Sequence, residues 1–243
     1  MISPLLSNIY LHAVLDQWFE EQVKPRMKGK VYLVRFADDA VLIFSERGDA
    51  QCVTEVLPKR FGRYRLTVHP EKTRIVRFTR PKDREAGKQG RRPQTFNFLG
   101  FTHYWGLSRK GSWIVKRKTE KKRVSRALKA VAQWCRRNRH VPVRDQQRLL
   151  KQKLYGHYSY YGITGNAPIL NRFHHEVHRV WRKWLNRRMR GNPMPWDKFN
   201  RLLNTYPLPA PRVVHSVCTA KPMTQRNRMR ENCTYGSVGV PGG

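Results

Sequence analysis

The apolar positions of the chain change period four times. After Ser3-Pro4, which suits a helix start, Leu5, Leu6, Ile9 and Ala13 recur at helical spacing, and Tyr10, Val14 and Trp18 widen the stripe. So wide a face predicts a helix covered from both sides. Val31-Tyr32-Leu33-Val34 and Ala40-Val41-Leu42-Ile43-Phe44 are short β-branched and aromatic runs. They predict two strands buried on both faces, joined by a tight hairpin at Phe36-Ala37-Asp38-Asp39. Asp49 is placed to cap a short helix through Val53, Val56 and Leu57, which Pro58 bends or ends. Leu66-Thr67-Val68 and Arg74-Ile75-Val76-Arg77-Phe78 alternate as strands around a turn at His69-Pro70-Glu71-Lys72-Thr73, and the basic stretch 79–95 reads as a loop.

Alternation returns at Phe96-Asn97-Phe98-Leu99-Gly100-Phe101, where Gly100 suits a bulge or a close backbone approach and Trp113-Ile114-Val115 offers a hairpin mate. From about residue 117 the period is helical. One stripe joins Val124, Ala127, Leu128, Val131, Trp134 and Cys135, and a second runs through Leu149, Leu150 and Leu154. The third joins Leu170, Phe173, Val177, Val180, Trp181, Trp184 and Leu185. Residues 206–212 form a proline-rich strap, and the tail beyond Val213 carries no periodicity and reads as disordered. The expected class is α+β, an antiparallel sheet with packing helices followed by an all-α bundle.

Charge sharpens this picture. Fifty Lys and Arg stand against 16 Asp and Glu, a formal net charge of +34. Such an excess opposes compaction unless a polyanion neutralises it, which points to nucleic acid. Seven Trp, ten Tyr and ten Phe exclude a merely disordered basic tail. No long apolar run or signal peptide is present, so the expectation is a cytoplasmic protein without membrane contact. Cys52, Cys135, Cys218 and Cys233 form no Cys-x-x-Cys pair, which argues for free thiols rather than disulfides or structural zinc.

The polar side of the third stripe carries Arg172, Arg179, Arg182, Lys183 and Arg187, with Arg188 following. These are candidate phosphate contacts. In the aromatic cluster Tyr155–Tyr161, Tyr158 and Tyr160 either stack on splayed bases or pack in the core. Trp181 and Trp184 are assigned to packing. The other candidate chemistry is Asp38-Asp39. Two carboxylates at one sheet rim raise each other's pKa unless a cation offsets them, and Mg²⁺ shares its shell with carboxylates, phosphates and water. A solvated surface turn is the alternative.

Phe36-Ala37-Asp38-Asp39 between two apolar strands resembles the Tyr-Ala-Asp-Asp hairpin of reverse transcriptase palms, with Phe in place of Tyr. Ile2-Ser3-Pro4-Leu5-Leu6-Ser7-Asn8-Ile9-Tyr10-Leu11 resembles the palm helix that precedes it. Leu154, Gly156, Tyr160-Tyr161-Gly162, Asn166, Leu170, Trp181, Trp184-Leu185 and Arg187-Arg188 are similar, in order and spacing, to the thumb or maturase domain of bacterial-type group II intron reverse transcriptase/maturases. The resemblance covers roughly residues 2–205.

It implies that residues 1–116 are the C-terminal part of a palm, lacking the fingers, the first part of the palm and its further metal-binding Asp. Residues 117–205 would be a helical thumb/maturase domain, and 206–243 the strap and tail. It further implies RNA-directed DNA polymerase chemistry in which two Mg²⁺ ions activate a primer 3′-hydroxyl. Asp38 would be the principal ligand, with Asp39 beside it. Phe36 would pack near the nucleotide or primer end, Lys72 of Pro70-Glu71-Lys72-Thr73 near the active site, and Gly100 of Phe98-Leu99-Gly100-Phe101 at the primer strand. A solvated surface role is the alternative for Lys72. Implied partners are intron RNA, template–primer and dNTPs, with the helical part assisting splicing. With an acid and the fingers absent, the chain is expected to polymerise poorly by itself. A non-catalytic RNA-binding maturase is the alternative reading, and a retron-type reverse transcriptase a weaker one.

Overall fold

A computed structural model describes residues 3–81, 93–188 and 193–215. The chain divides into two compact units. The first holds the described residues up to Leu99 together with Leu107–Val115, and the second holds Gly100–Gly106 and the described residues from Lys116 onward.

The first unit opens with α1 (Ser3–Leu11), continued by wider π-type winding over His12–Gln17 and Phe19–Val23. Val14, Leu15, Trp18, Phe19 and Val23 are buried on this continuation. The hairpin β1 (Val31–Phe36) and β2 (Asp39–Phe44) follows, then α2 (Arg47–Arg63). The strands are antiparallel, with Val34 opposite Val41 and Phe36 opposite Asp39. Directly opposed residues share a face. Val31, Leu33, Leu42 and Phe44 therefore lie on one side and pack with Leu15, Trp18, Phe19 and Val53.

The other side departs from expectation. Tyr32 and Phe36 are 37% and 59% exposed while Val34, Val41 and Ile43 are half-buried, so this face is covered only in part. Likewise α1 is not a buried helix, because Leu5, Leu6, Ile9 and Tyr10 are all exposed. Only the later, π-wound turns find cover. An apolar stripe states that a face prefers burial, not that something packs on it.

Of the two outcomes expected at Pro58, the helix end is not seen: Pro58 lies inside α2, which runs on to Arg63. Asp49 is not its cap. It is buried within the first turns and accepts a 2.9 Å hydrogen bond from the Gly29 N–H. Ser45 adds a second tie at this open end of the hairpin, its Oγ accepting from the Lys30 N–H at 2.8 Å. Leu66–Val68 and Ile75–Phe78 show alternating burial but pair in no ladder among the described residues. Alternation encodes two faces, while a ladder also needs a partner strand. The expected turn between them is present, with the Thr73 N–H bonded to the His69 carbonyl at 3.0 Å. Most of the predicted 79–95 loop, residues 82–92, lies outside the described residues.

β3 (Phe96–Phe98), β4 (Phe101–Leu107) and β5 (Trp113–Thr119) form a sheet in that order, so the expected Phe96–Phe101 strand is split in two and Trp113–Val115 lies in the strand beside β4, not beside β3. Gly100 is not a bulge. Leu99 and Gly100, with φ of 49° and 76°, make the tight turn from β3 to β4, a left-handed conformation that Gly adopts without cost.

The second unit packs α3 (Lys121–Arg137), α4 (Val143–Tyr161), α5 (Ala167–Asn186) and α6 (Trp196–Thr205). Its core joins Val131, Cys135, Leu150, Leu154, Phe173, Val177, Trp181 and Phe199. Two buried amides lock it. Asn166 accepts from the Thr119 N–H at 2.9 Å and donates to Thr119 Oγ1 and the Tyr161 carbonyl, both at 2.8 Å. Gln146 donates to the Val141 carbonyl at 2.7 Å and accepts from Trp181 Nε1–H at 2.9 Å. Helix α6 was not foreseen, and the strap is a partner of this core through buried Leu208. Val214 and His215 bond back to the Gly162 carbonyl, so order extends just past the expected limit. The tail beyond residue 215 lies outside the described residues.

Candidate metal centre and nucleic-acid face

Asp38 sits in the two-residue turn between β1 and β2, and Asp39 opens β2. Both are exposed, and among the described residues neither carboxylate makes an ion pair or hydrogen bond. On a chain of net charge +34 that isolation is notable, since every neighbouring cation would gain by pairing with them.

One residue holds the turn in place. Arg35 Nε and Nη2 donate to the two Asp16 carboxylate oxygens at 2.8 and 2.7 Å. Its Nη1 donates to Asn8 Oδ1 at 3.1 Å and to the Ala37 carbonyl at 2.8 Å. The guanidinium thus ties the helix to the residue before Asp38. Ala37 has φ of 53°, a left-handed conformation that costs a non-glycine residue about 1–2 kcal/mol and persists only where the surroundings impose it. Burial acts to raise the Asp16 pKa, but Arg35 and then His12 outweigh it and hold the carboxyl below its ordinary value. Asp16 is therefore committed to Arg35 as a structural anion.

Phe36 lies opposite Asp39 and on the same face, with its ring in solvent beside the acids. Lys72 is exposed in the His69–Thr73 turn of the same unit. Gly100 belongs to the second unit, where a Cβ would meet Tyr161 Oη at 3.1 Å. The donor set for a metal is thus Asp38 and Asp39. No group of three or more His, Cys, Asp or Glu side chains placed to hold an ion occurs among the described residues.

In the second unit the stripes of α5 separate cleanly, with Leu170, Phe173, Val177, Trp181 and Leu185 inward. Arg172, Arg179, Lys183, Arg187 and Arg188 are exposed. Arg179 pairs with Glu176 at 3.2 Å. Arg182 differs. It is half-buried and donates to the Met194 carbonyl through Nε and Nη2, at 3.0 and 2.7 Å, so its role is structural. Tyr158 is also corrected as a stacking candidate. It is 1% exposed and belongs to the core, where burial pushes its hydroxyl above the usual tyrosine range. Tyr160 remains accessible at 52%, stacked on Phe101 at 5.9 Å. Sequence reasoning missed Arg35, whose signal was its place immediately before the hairpin.

Residues 1–103 match the family described as reverse transcriptase (RNA-dependent DNA polymerase). That match supports a reverse transcriptase domain in the part of the chain that carries the Asp38-Asp39 hairpin. A reverse transcriptase implies template–primer and nucleotide binding and divalent metal use. The mixed α+β structure, with small antiparallel sheets, is compatible with a partial palm. No curated protein matches the chain. No helix among the described residues is long and apolar enough to cross a membrane.

Proposed function

We propose that the chain is a group II intron reverse transcriptase/maturase segment of bacterial type, joining part of a polymerase palm to a helical unit that grips RNA. The observation that carries the reading is the hairpin: two exposed, adjacent, unpaired carboxylates in a stretch that matches reverse transcriptases. On the helical side, support comes from the Tyr160-Tyr161-Gly162, Asn166 and Trp181 pattern and from the exposed cations of α5.

The donor set fits a hard, oxygen-seeking ion, because Mg²⁺ is commonly held by one or two carboxylates while water and substrate phosphates complete its shell. Asp38 and Asp39 would hold it, Asp38 as the main ligand at the turn. Bound there, Mg²⁺ would supply the charge that lowers the pKa of a primer 3′-hydroxyl and offsets the charge of departing pyrophosphate. Arg35 fixes the backbone that presents the acids, and Phe36 offers an aromatic surface on the Asp39 face for a primer end or nucleotide. Lys72, exposed in the His69–Thr73 turn, would supply a further cation for the nucleic acid.

Two carboxylates hold metal less firmly than three, so polymerisation by this chain alone is weak. A primer-extension assay on an RNA template with Mg²⁺ tests this. The expected result is little or no cDNA, with any product abolished by Asp38→Ala. Robust cDNA synthesis lost in Asp38→Ala disproves the weak-activity statement and keeps the polymerase assignment.

The two-carboxylate donor set favours a second reading, a non-catalytic maturase that assists intron folding. There Asp38→Ala leaves RNA binding intact, whereas reversing Arg179 and Arg187 weakens it and flattens its salt dependence.

A further inference from the structure

A cleft of about 600 Å³ lies between α5 and α6, lined by Glu176, Arg179, Lys183, Asn186, Arg187 and Trp196 among others. That size falls in the range of sites for small organic groups. One wall is built with care. Arg182 bonds the Met194 carbonyl twice, the Asn186 side-chain oxygen accepts from the Met194 N–H at 3.0 Å, and the Arg182 guanidinium sits 4.3 Å from the Trp196 ring centre. Buried Phe199 meets the same indole edge-on at 5.8 Å. Despite these contacts Trp196 stays 41% exposed.

A large aromatic ring is thus held with the Arg182 guanidinium over one face and 41% of its surface open, beside three exposed cations. Of those three, only Arg179 has a carboxylate partner among the described residues. A fixed aromatic face beside cations is the arrangement that binds single-stranded nucleic acid, where bases stack and phosphates meet charge. An acidic peptide would use the cations but gain little from a flat ring.

We propose that this cleft takes one unpaired nucleotide of a single RNA strand, its base on the face of Trp196 that Arg182 leaves uncovered and its phosphates against Arg179, Lys183 and Arg187. Arg182 is a positioning residue that holds the indole. The inference rests on reading the helical unit as RNA-binding, and deepens it by naming a subsite.

The test uses the full chain and two ligands of equal length, an unstructured oligoadenylate and a base-free ribose-phosphate strand. The wild-type chain should prefer the oligoadenylate by about five- to a hundredfold for one stacked base. Trp196→Phe should keep most of that preference, and Trp196→Leu should lose it without changing affinity for the base-free strand. Lys183→Gln with Arg187→Gln should weaken both ligands similarly and flatten the salt slope. Because Trp196→Leu also disturbs the contact with Phe199, the unmodified chain is cross-linked in parallel to a 4-thiouridine strand and mapped by mass spectrometry. Attachment at Trp196 or its cleft neighbours is expected. Preference that survives in a folded Trp196→Leu chain, or cross-links only elsewhere, overturns the subsite. If the Lys183/Arg187 double variant binds both ligands like the wild type at every salt concentration, the RNA-binding reading of this face falls with it.

Discussion

Replacing Arg35 with Met removes a guanidinium while keeping most of the apolar stem. Four hydrogen bonds go with it: two to Asp16, one to Asn8 and one to the Ala37 carbonyl. The Arg35 and Asp16 side chains are 13% and 25% exposed, so solvent replaces these bonds only in part. Hydrogen bonds to charged groups contribute about 1.5–3 kcal/mol each, but those sharing one guanidinium are far from additive. The Asp16 carboxylate would then keep only His12, at 3.2 Å on an exposed side chain. Weighing partial exposure against a half-stranded anion gives a loss of about 2–4 kcal/mol.

The loss should be local as well as global, because the left-handed Ala37 conformation loses its tether. A whole-chain melt mixes two compact units, so the informative assay is amide hydrogen exchange over Val31–Phe44 at neutral pH, with Asp16→Asn and the double variant completing a cycle. Protection of the hairpin should drop in both single variants, with a coupling above about 1 kcal/mol between them. The sign of the pH dependence is fixed too. Asp16 has a lowered pKa in the fold, so its contribution is complete above the unfolded carboxylate value and fades as pH falls through the folded one. Hairpin protection in Arg35→Met within about 0.5 kcal/mol of wild type, a change typical of ordinary surface substitutions, would refute the clamp.

Two further outcomes follow from the helical unit. Asn166→Ala strands the buried Thr119 N–H, while the Tyr161 carbonyl keeps the Ile163 N–H, so amide protection of α4 and α5 should drop by about 1–3 kcal/mol. An effect below 0.5 kcal/mol, no larger than an ordinary surface change, would show that water replaces the amide. His103, His157 and His178 have pKa values lowered to about 4, chiefly by burial. Unfolded histidine titrates near 6.5, so the unfolded chain binds more protons between the two values. Stability of this unit is complete above about pH 6.5 and declines as pH falls toward 4. Amide protection of α4 and α5, followed across that window, should show the decline, and His157→Phe, which preserves the stack on Phe173, should lessen it.

The sequence made some of this legible and not the rest, for physical reasons. The long stripes of α3 and α5 were readable because each buries a continuous face in one core, so pattern and packing agree. The Asp38 hairpin was readable because β-branched runs bracket turn-forming residues. Burial failed where the partner of a face had to be guessed, as with Leu5, Leu6 and Ile9, or with the outer side of the hairpin at Tyr32 and Phe36. Tyr158 and Tyr160 are two positions apart on one helix and look alike in sequence, yet one is core and the other exposed. Helix phase against the neighbouring elements separates them, and composition does not. The roles of Arg35, Asn166 and Gln146 depend on bonds between residues up to 47 positions apart, which no local pattern encodes.

The most direct test of the metal centre is electron paramagnetic resonance with Mn²⁺ standing in for Mg²⁺, titrated into the full chain with an RNA template–primer and nucleotide. Asp38 and Asp39 as ligands predict a bound Mn²⁺ signal that disappears when both are replaced by Asn. A double variant that binds Mn²⁺ as the wild type does would contradict the hairpin as a metal site.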